Sequence, residues 1–362
     1  MVVNPLRVLE MITSARIGGA EVYVADLCRE LPELGAKVEL FSPAGRPFVS
    51  YAAERGISAT TWKTHGKFDP VTVFKLARLI KQHNIDVVHT HLSTASLLGA
   101  WAARSAGRPS VAHVHGLNTA TCFKYSTAVI AVSHAVKKHL CAQGLREEKI
   151  TVVHNGIDPG KFTPMSADQA KRELGYNPGA PVVGVFGRLS PEKGQRTAIE
   201  AMFILLKSQP RTRLMIVGDG KDRDDLRLSV DALGIAGSVD FVGFVRDIRQ
   251  HMSACDIVIA PSLKEGFGLA AIEAMALKRP VVASSIGGLP EIVVPEQTGL
   301  LVPPNDPQAL AKALEQLLEH SDTAHDMGER GRMRMEECFD LRKQIGLVLE
   351  VLKATQHPTP DA

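Results

Sequence analysis

The densest chemistry in the chain lies in residues 261–276, Pro-Ser-Leu-Lys-Glu-Gly-Phe-Gly-Leu-Ala-Ala-Ile-Glu-Ala-Met-Ala. A strand pattern over 256–260 precedes this segment, and Ile272, Met275 and Ala276 mark one apolar face of the helix that it opens. Gly266 and Gly268 permit close approach of backbone to a ligand, and the free N–H groups and dipole of a helix start suit a diphosphate. Glu265 stands on the loop before that helix and Glu273 one to two turns into it. Carboxylates repel phosphate but accept hydrogen bonds from hydroxyls, so the pair points to a sugar held beside an anion.

A second basic segment, Gly187-Arg188-Leu189-Ser190-Pro191-Glu192-Lys193-Gly194, follows a strand pattern over 182–186. The fork of Arg188 and the point charge of Lys193 would neutralise phosphate charge as a nucleoside diphosphate departs. Near the N-terminus Arg16-Ile17-Gly18-Gly19-Ala20-Glu21 joins a strand to a helix, where the glycines permit either a ligand or a tight turn. Residues 218–225 contain Asp-x-Asp, which is read as charge and capping at a helix start rather than as a metal site. His89 and His91, like His113 and His115, are paired at spacing two along a strand. Lacking a further ligand at zinc-site spacing, they are expected to be structural, except His115, which precedes Gly116 at a strand exit and is expected to contact a ligand.

Elements in alternation must position these groups. Strand patterns at 6–12, 38–41, 87–89, 110–114, 128–132 and 151–153 are interleaved with helical patterns such as 20–31, 70–82 and 94–105. The alternation restarts with strands at 182–186, 213–217, 239–242, 256–260, 280–283 and 300–302. Each series predicts a parallel sheet with helices on both faces, and the punctuated stretch 154–160 with Pro164 predicts a hinge between them. The fold class expected is α/β, two doubly wound Rossmann-like domains facing each other across a cleft. Ligands then bind beyond the carboxyl ends of the strands.

With 362 residues the chain suits two domains, and 45% hydrophobic against 22% charged residues is a folded, not a disordered, composition. Five scattered cysteines without a Cys-x-x-Cys pair suit a reducing compartment. Neither a signal peptide nor an apolar run of membrane-span length is read, so the expected location is cytoplasmic. Charge is uneven: up to Pro164 there are 19 basic and 12 acidic residues, beyond it 23 and 27. The basic first half would suit a phosphorylated acceptor, a lipid headgroup or an anionic membrane surface, or be plain solvated charge. Gly218-x-Gly220 lacks the third glycine of a dinucleotide site, Arg223 standing there, and phosphate-loop, nucleophile-elbow and zinc-protease fingerprints are missing from the sequence.

In this order the segments resemble the retaining nucleotide-sugar glycosyltransferases of the GT-B fold, family 4, also called glycosyl transferases group 1. The likeness runs through Gly18-Gly19-Ala20-Glu21, His115-Gly116, Val132-Ser133 with Leu140, Asn155-Gly156-Ile157-Asp158, Gly187-Arg188-Leu189 with Glu192-Lys193-Gly194, and Gly218-Asp219-Gly220. It continues through Phe241-Val242-Gly243, Glu265 to Glu273, Gly287-Gly288-Leu289-Pro290-Glu291 and Gly299-Leu300-Leu301-Val302. The resemblance implies an acceptor-binding domain over 1–160, a donor-binding domain over 161–340, and a C-terminal helix over 341–362 that packs back on the first domain before a short disordered tail. It implies that Arg188 and Lys193 hold the donor diphosphate with the backbone of Gly266, Phe267, Gly268 and Leu269. Glu265 would bind the transferred sugar, Glu273 the ribose, Val245 would lie against the base, and His115 near the reacting face of the sugar. Gly18 and Gly19 would face the diphosphate, and Arg16 and Asn118 the acceptor.

A double displacement would need a carboxylate nucleophile, whereas the family looks to a front-face substitution in which the leaving phosphate helps deprotonate the acceptor. No metal and no cofactor are expected, the nucleotide sugar being a substrate. The implied acceptor is a glycan or glycolipid of the cell envelope, lipopolysaccharide or polysaccharide included, and no nucleic-acid partner is expected. Helix 70–82, with Val73, Ala77 and Ile80 on one side and Lys75 and Arg78 on another, is read as a packed surface helix, with a peripheral contact at the cytoplasmic face of an inner membrane as the alternative. Two rival activities remain open at this point: epimerisation of a nucleotide sugar on a similar scaffold, and binding of one without catalysis.

Overall fold

A computed structural model describes residues 4–356. The expected C-terminal tail lies outside the described residues. Two compact units emerge, one comprising the chain up to Gly156 together with Leu341 onward, the other Ile157–Asp340.

The first unit is built from β1 (Arg7–Ile12), α1 (Gly19–Glu33), β2 (Lys37–Phe41), α2 (Pro47–Ala53), β3 (Ala59–Thr60), α3 (Pro70–Gln82), β4 (Val87–His91), α4 (Ser93–Ala106), β5 (Ser110–Val114), β6 (Ala128–Ala131), α5 (His134–Cys141) and β7 (Ile150–Val152). Its seven strands are parallel in the order β3-β2-β1-β4-β5-β6-β7. The second unit contains α6 (Ala167–Glu173), β8 (Val182–Phe186), α7 (Gln195–Leu205), β9 (Arg213–Val217), α8 (Arg223–Ala232), β10 (Val239–Gly243) and α9 (Arg249–Ser253). It goes on with β11 (Ile257–Ala260), α10 (Leu269–Ala276), β12 (Val281–Ser284), α11 (Leu289–Ile292), β13 (Gly299–Val302), α12 (Pro307–Glu319) and α13 (Ser321–Cys338). Here six parallel strands run β10-β9-β8-β11-β12-β13.

Helices on both faces bury the strands almost completely, which is why β4, β5 and β8 are buried at every position and why β8 reads as a continuous rather than an alternating run. The last helix, α14 (Leu341–Gln356), belongs to the first unit: Leu341, Ile345, Val348, Leu349 and Leu352 join Leu6, Val8, Tyr23 and Leu27 in one core cluster. The division falls after Gly156 rather than at residue 160, because Ile157 donates its N–H to the Phe339 carbonyl at 3.0 Å and bridges Asp340. The outgoing and returning strands of chain are thus tied together inside the second unit. In α3 the side with Ala77 and Ile80 packs inward with Leu76, while Val71 and Phe74 are exposed.

Candidate functional site

Both sheets reverse their strand order once, between β1 and β4 in the first unit and between β8 and β11 in the second. Loops diverge at such a point and leave a crevice at the carboxyl ends of the strands.

In the second unit the crevice is bounded by loop 187–194 after β8 and loop 261–268 after β11. Leu263 and Lys264 both donate N–H to the Glu192 carbonyl, at 2.8 and 3.1 Å, and so stitch one loop to the other. Gly287 has φ +59°, and a Cβ there would lie 1.9 Å from the carbonyl oxygen of Glu265. Only glycine lets the 265–268 loop rest on the turn that leads into α11, a role for Gly287 that sequence reading did not supply.

Across the crevice Lys193 Nζ donates to Glu265 Oε2 at 2.6 Å, and Ser262 Oγ donates to the same oxygen at 3.1 Å. Gly268, at φ +122°, caps α10; its carbonyl accepts from Ala271 N–H at 2.9 Å, which leaves the N–H groups of Leu269 and Ala270 without a partner within the helix. Glu273 stands half-buried on the same helix, its carboxyl pushed up to about 7 by burial, with the positive charge of Lys193 pulling the other way. A cation, two carboxylates and a helix start therefore meet at one strand crossover. Arg188 is placed differently from Lys193: its guanidinium is half-exposed and 3.6 Å from Glu192, while its carbonyl accepts from Gln195 Nε2. Val245 follows β10, three strands from β11. At roughly 4.8 Å per strand that is about 14 Å, the scale of a nucleoside diphosphate carrying a sugar.

The acidic run 219–225 makes structural contacts. Asp224 and Asp225 occupy the first turn of α8, Asp219 lies 3.9 Å from Arg223, and Asp222 stands at the N-cap without a side-chain capping bond. Its charge reading holds, and its capping reading does not.

In the first unit Glu21 reaches back to accept the Gly18 N–H at 2.8 Å, closing the turn that carries the exposed Gly18 and Gly19. Arg16 is exposed on the same loop, with its backbone held by Ser14 Oγ. The loop at Asn118 is pinned from α5, since the Asn118 carbonyl accepts from His139 and Gln143. The histidines depart from expectation. The two pairs are not separate: β4 and β5 pair in register His91 to His113, β1 and β4 pair Glu10 to His89, and all the rings fall on one face. Glu10, unnoticed in the sequence, accepts from His89 Nδ1 and His91 Nε2, both at 2.8 Å. His91 Nδ1 meets His115 Nε2 at 2.9 Å, and His113 Nδ1 meets His89 Nε2 at 3.3 Å. Burial, followed by the charge of neighbouring histidines, holds His91 and His113 well below the usual imidazole range and His115 at about 3. Nitrogens of His89, His91 and His113 lie within 4.8 Å of one another, close enough to be weighed as a metal set, but most are spent on Glu10 and on each other. The legible signal was a period-two histidine pair repeated on strands that come to be neighbours.

Residues 166–334 match the pattern that defines "Glycosyl transferases group 1", and residues 17–161 match "Glycosyltransferase Family 4". The chain belongs to the family 4, group 1 glycosyltransferases. It is 29% identical to a D-inositol 3-phosphate glycosyltransferase of Corynebacterium urealyticum over 98% of this chain and 97% of that one. An Escherichia coli UDP-Gal:alpha-D-GlcNAc-diphosphoundecaprenol alpha-1,3-galactosyltransferase is 28% identical over 78% of this chain and 79% of its own. Among solved structures, Anabaena HepE in complex with UDP superposes with a TM-score of 0.87 at 27% identity, covering 96% of this chain and all of that one. Two Rossmann-like domains of GT-B type and an enzyme that transfers sugar from a nucleotide-sugar donor follow. Among the described residues no helix is long and apolar enough to cross a membrane.

Proposed function

We propose that this glycosyltransferase moves a hexose from a uridine diphosphate sugar to a lipid-linked glycan or glycolipid of the cell envelope, with retention of anomeric configuration and without a bound metal. The observation that carries the donor half is the Lys193–Glu265 pair at 2.6 Å beside the glycine-opened start of α10. An ion pair this close offers a cation to the phosphate and a carboxylate to the adjacent sugar, the two ends of the bond that breaks. Lys193 and the α10 N–H groups would take up charge developing on the leaving diphosphate, Glu265 would orient the sugar hydroxyls, and Glu273 would bind ribose. The protein's share is positioning and charge stabilisation, as a front-face substitution requires. Support for the uridine nucleotide comes from HepE, solved with UDP-glucose, and from the E. coli relative, whose name specifies UDP-Gal and a diphosphoundecaprenol acceptor.

The acceptor half draws on a surface of the first unit. Phe68 is 76% and Phe74 69% exposed, and with Trp101 they line an open groove of about 410 Å³. Phe68 and Tyr125 both pack on Trp101, with ring centroids 6.0 and 5.9 Å away. Residues 61–82, 93–105 and 116–127 together carry seven lysines and arginines against a single carboxylate, Asp69, which is buried as the N-cap of α3. Exposed aromatic rings within such a positive field suit the interface of an anionic membrane, which would deliver a lipid-linked acceptor. We place the enzyme at the cytoplasmic face of that membrane, consistent with five free cysteines.

The test is incubation with UDP-glucose, UDP-galactose and GDP-mannose, with and without undecaprenyl-diphosphate-linked sugars, reading nucleotide release and the product anomer by NMR. An inverted anomer would remove the retaining mechanism. Turnover abolished by chelator and restored by a divalent ion would remove metal independence.

A further inference from the structure

Five side chains of the first unit form one hydrogen-bonded line, His113, His89, Glu10, His91 and His115. Glu10, His89, His91 and His113 are all fully buried. A carboxylate can only accept, so His91 donates its Nε2–H to Glu10. His91 and His115 are neutral, for the burial reason given above, and a neutral imidazole carries a single N–H. His91 therefore turns a bare Nδ1 toward His115, and His115 must spend its proton there as Nε2–H. What remains on His115 is an unprotonated Nδ1, which is buried and has no hydrogen-bond partner. His113 Nε2 is likewise buried and unpartnered at the far end of the line.

Tyr23 is the adjacent donor. Its ring packs edge-on to His113 and His115, with centroids 5.3 and 5.8 Å away, and its hydroxyl is also buried without a partner. One phenol has one proton to give, so it can satisfy one of the two lone pairs at most. His113 is wholly enclosed, whereas His115 is half-buried just past the carboxyl end of β5, where ligands of such sheets bind, so of the two lone pairs that of His115 lies nearer the ligand-binding edge although its Nδ1 is itself covered.

We propose that Glu10, acting through His91, is a positioning residue that holds His115 as a hydrogen-bond acceptor. His115 then selects a ligand hydroxyl, which donates, over a phosphate or carbonyl oxygen, which cannot. The inference rests on the transferase reading only in assigning that hydroxyl to a sugar substrate; the tautomer stands apart from it.

Long-range proton–nitrogen spectra of protein labelled with nitrogen-15 histidine test the tautomer without any ligand, the His115 signals being assigned by their loss in His115→Asn. The expected result at neutral pH is a pyridine-like Nδ1 and a pyrrole-like Nε2. A pyrrole-like Nδ1, an imidazolium, or one equivalent of metal in the purified protein would overturn the proposal. In Glu10→Gln the side chain offers one acceptor and one donor in place of two acceptors, so one arm must reverse, putting a proton on either His115 Nδ1 or His113 Nε2; reversal of neither would also overturn it. His91→Gln presents an amide oxygen to His115 and an amide N–H to Glu10, so the His115 tautomer is expected to persist. Where His115 does reverse, kcat/KM for the nucleotide sugar should fall on the order of tenfold, the worth of one hydrogen bond. Unchanged kcat/KM in a reversed variant would refute the hydroxyl contact. Failure of the wild-type enzyme to turn over any nucleotide sugar would instead count against the transferase reading, leaving the spectra to decide the tautomer.

Discussion

Replacing Lys193 by alanine removes one partner of the 2.6 Å contact with Glu265 and the positive charge that opposes the upward shift of Glu273. The fold should lose little. Lys193 is 29% exposed in its side chain, and an ion pair at such a site contributes at most about 1 kcal/mol. For a unit the size of Ile157–Asp340 that is a fall in Tm of roughly 2–4 °C. Ligand binding should lose more, because a charge-assisted hydrogen bond to phosphate contributes about 1.5–3 kcal/mol, equivalent to roughly 10- to 150-fold in Kd for UDP or in kcat/KM. Titration calorimetry with UDP, nucleotide release under single-substrate saturation and a thermal melt give the three numbers on the same preparation. Lys193→Ala with wild-type UDP affinity and wild-type kcat/KM would refute the placement of the diphosphate at the β8–β11 crevice. A large fall in Tm with unchanged affinity would show the pair to be structural.

Glu273 keeps its proton in the native state up to about pH 7, whereas the unfolded chain releases it near the ordinary value of 4.5. The unfolded state then binds fewer protons across that interval, so this group costs stability as pH rises through it, by a ceiling of about 3 kcal/mol above pH 7. Glu273→Gln should therefore melt progressively higher than wild type between pH 4.5 and 7 in the absence of ligand, and a pH-independent difference would contradict the shift. Gly287→Ala, forced to φ +59° with its Cβ against the Glu265 carbonyl, should displace the 265–268 loop and cost well over 1 kcal/mol together with donor binding. Wild-type melting and UDP affinity in that variant would show the loop contact to be dispensable. Phe74→Ser removes an exposed ring worth about 1.5–3 kcal/mol when buried in an interface, so cosedimentation with phosphatidylglycerol vesicles should weaken at least tenfold while UDP binding is unchanged. Equal sedimentation of wild type and variant would remove the membrane surface from this face.

Much of the architecture is legible before any coordinate is known. Residues 182–186 carry an unbroken run without a polar side chain because the strand is covered on both faces, and Gly187 follows because the chain must turn there. The grouping at the β8–β11 crevice is legible for a local reason: Glu265, Gly266, Gly268 and Glu273 sit at short spacings around one strand-to-helix turn, and local spacing survives folding. Strand β3, two residues long, escapes pattern reading because so short a pairing has no period to show. The outward side of α3 was likewise hidden, since a helix with apolar residues around much of its circumference does not say which side a neighbouring helix will cover.

Sequence alone determined the two doubly wound series, the crossover loops and the identities of the groups they carry, because all of these depend on residues near one another in the chain. Tertiary structure decided the pairings across long separations. It set Lys193 against Glu265 instead of beside Arg188, and tied Ile157 to Phe339 so that the boundary moved to Gly156. It also gathered Glu10, His89, His91, His113 and His115 into one hydrogen-bonded line on and just beyond three strands. Strand order and register bring such groups together, and these are fixed only when the sheet closes, since a shift of one residue would have turned every histidine to the other face.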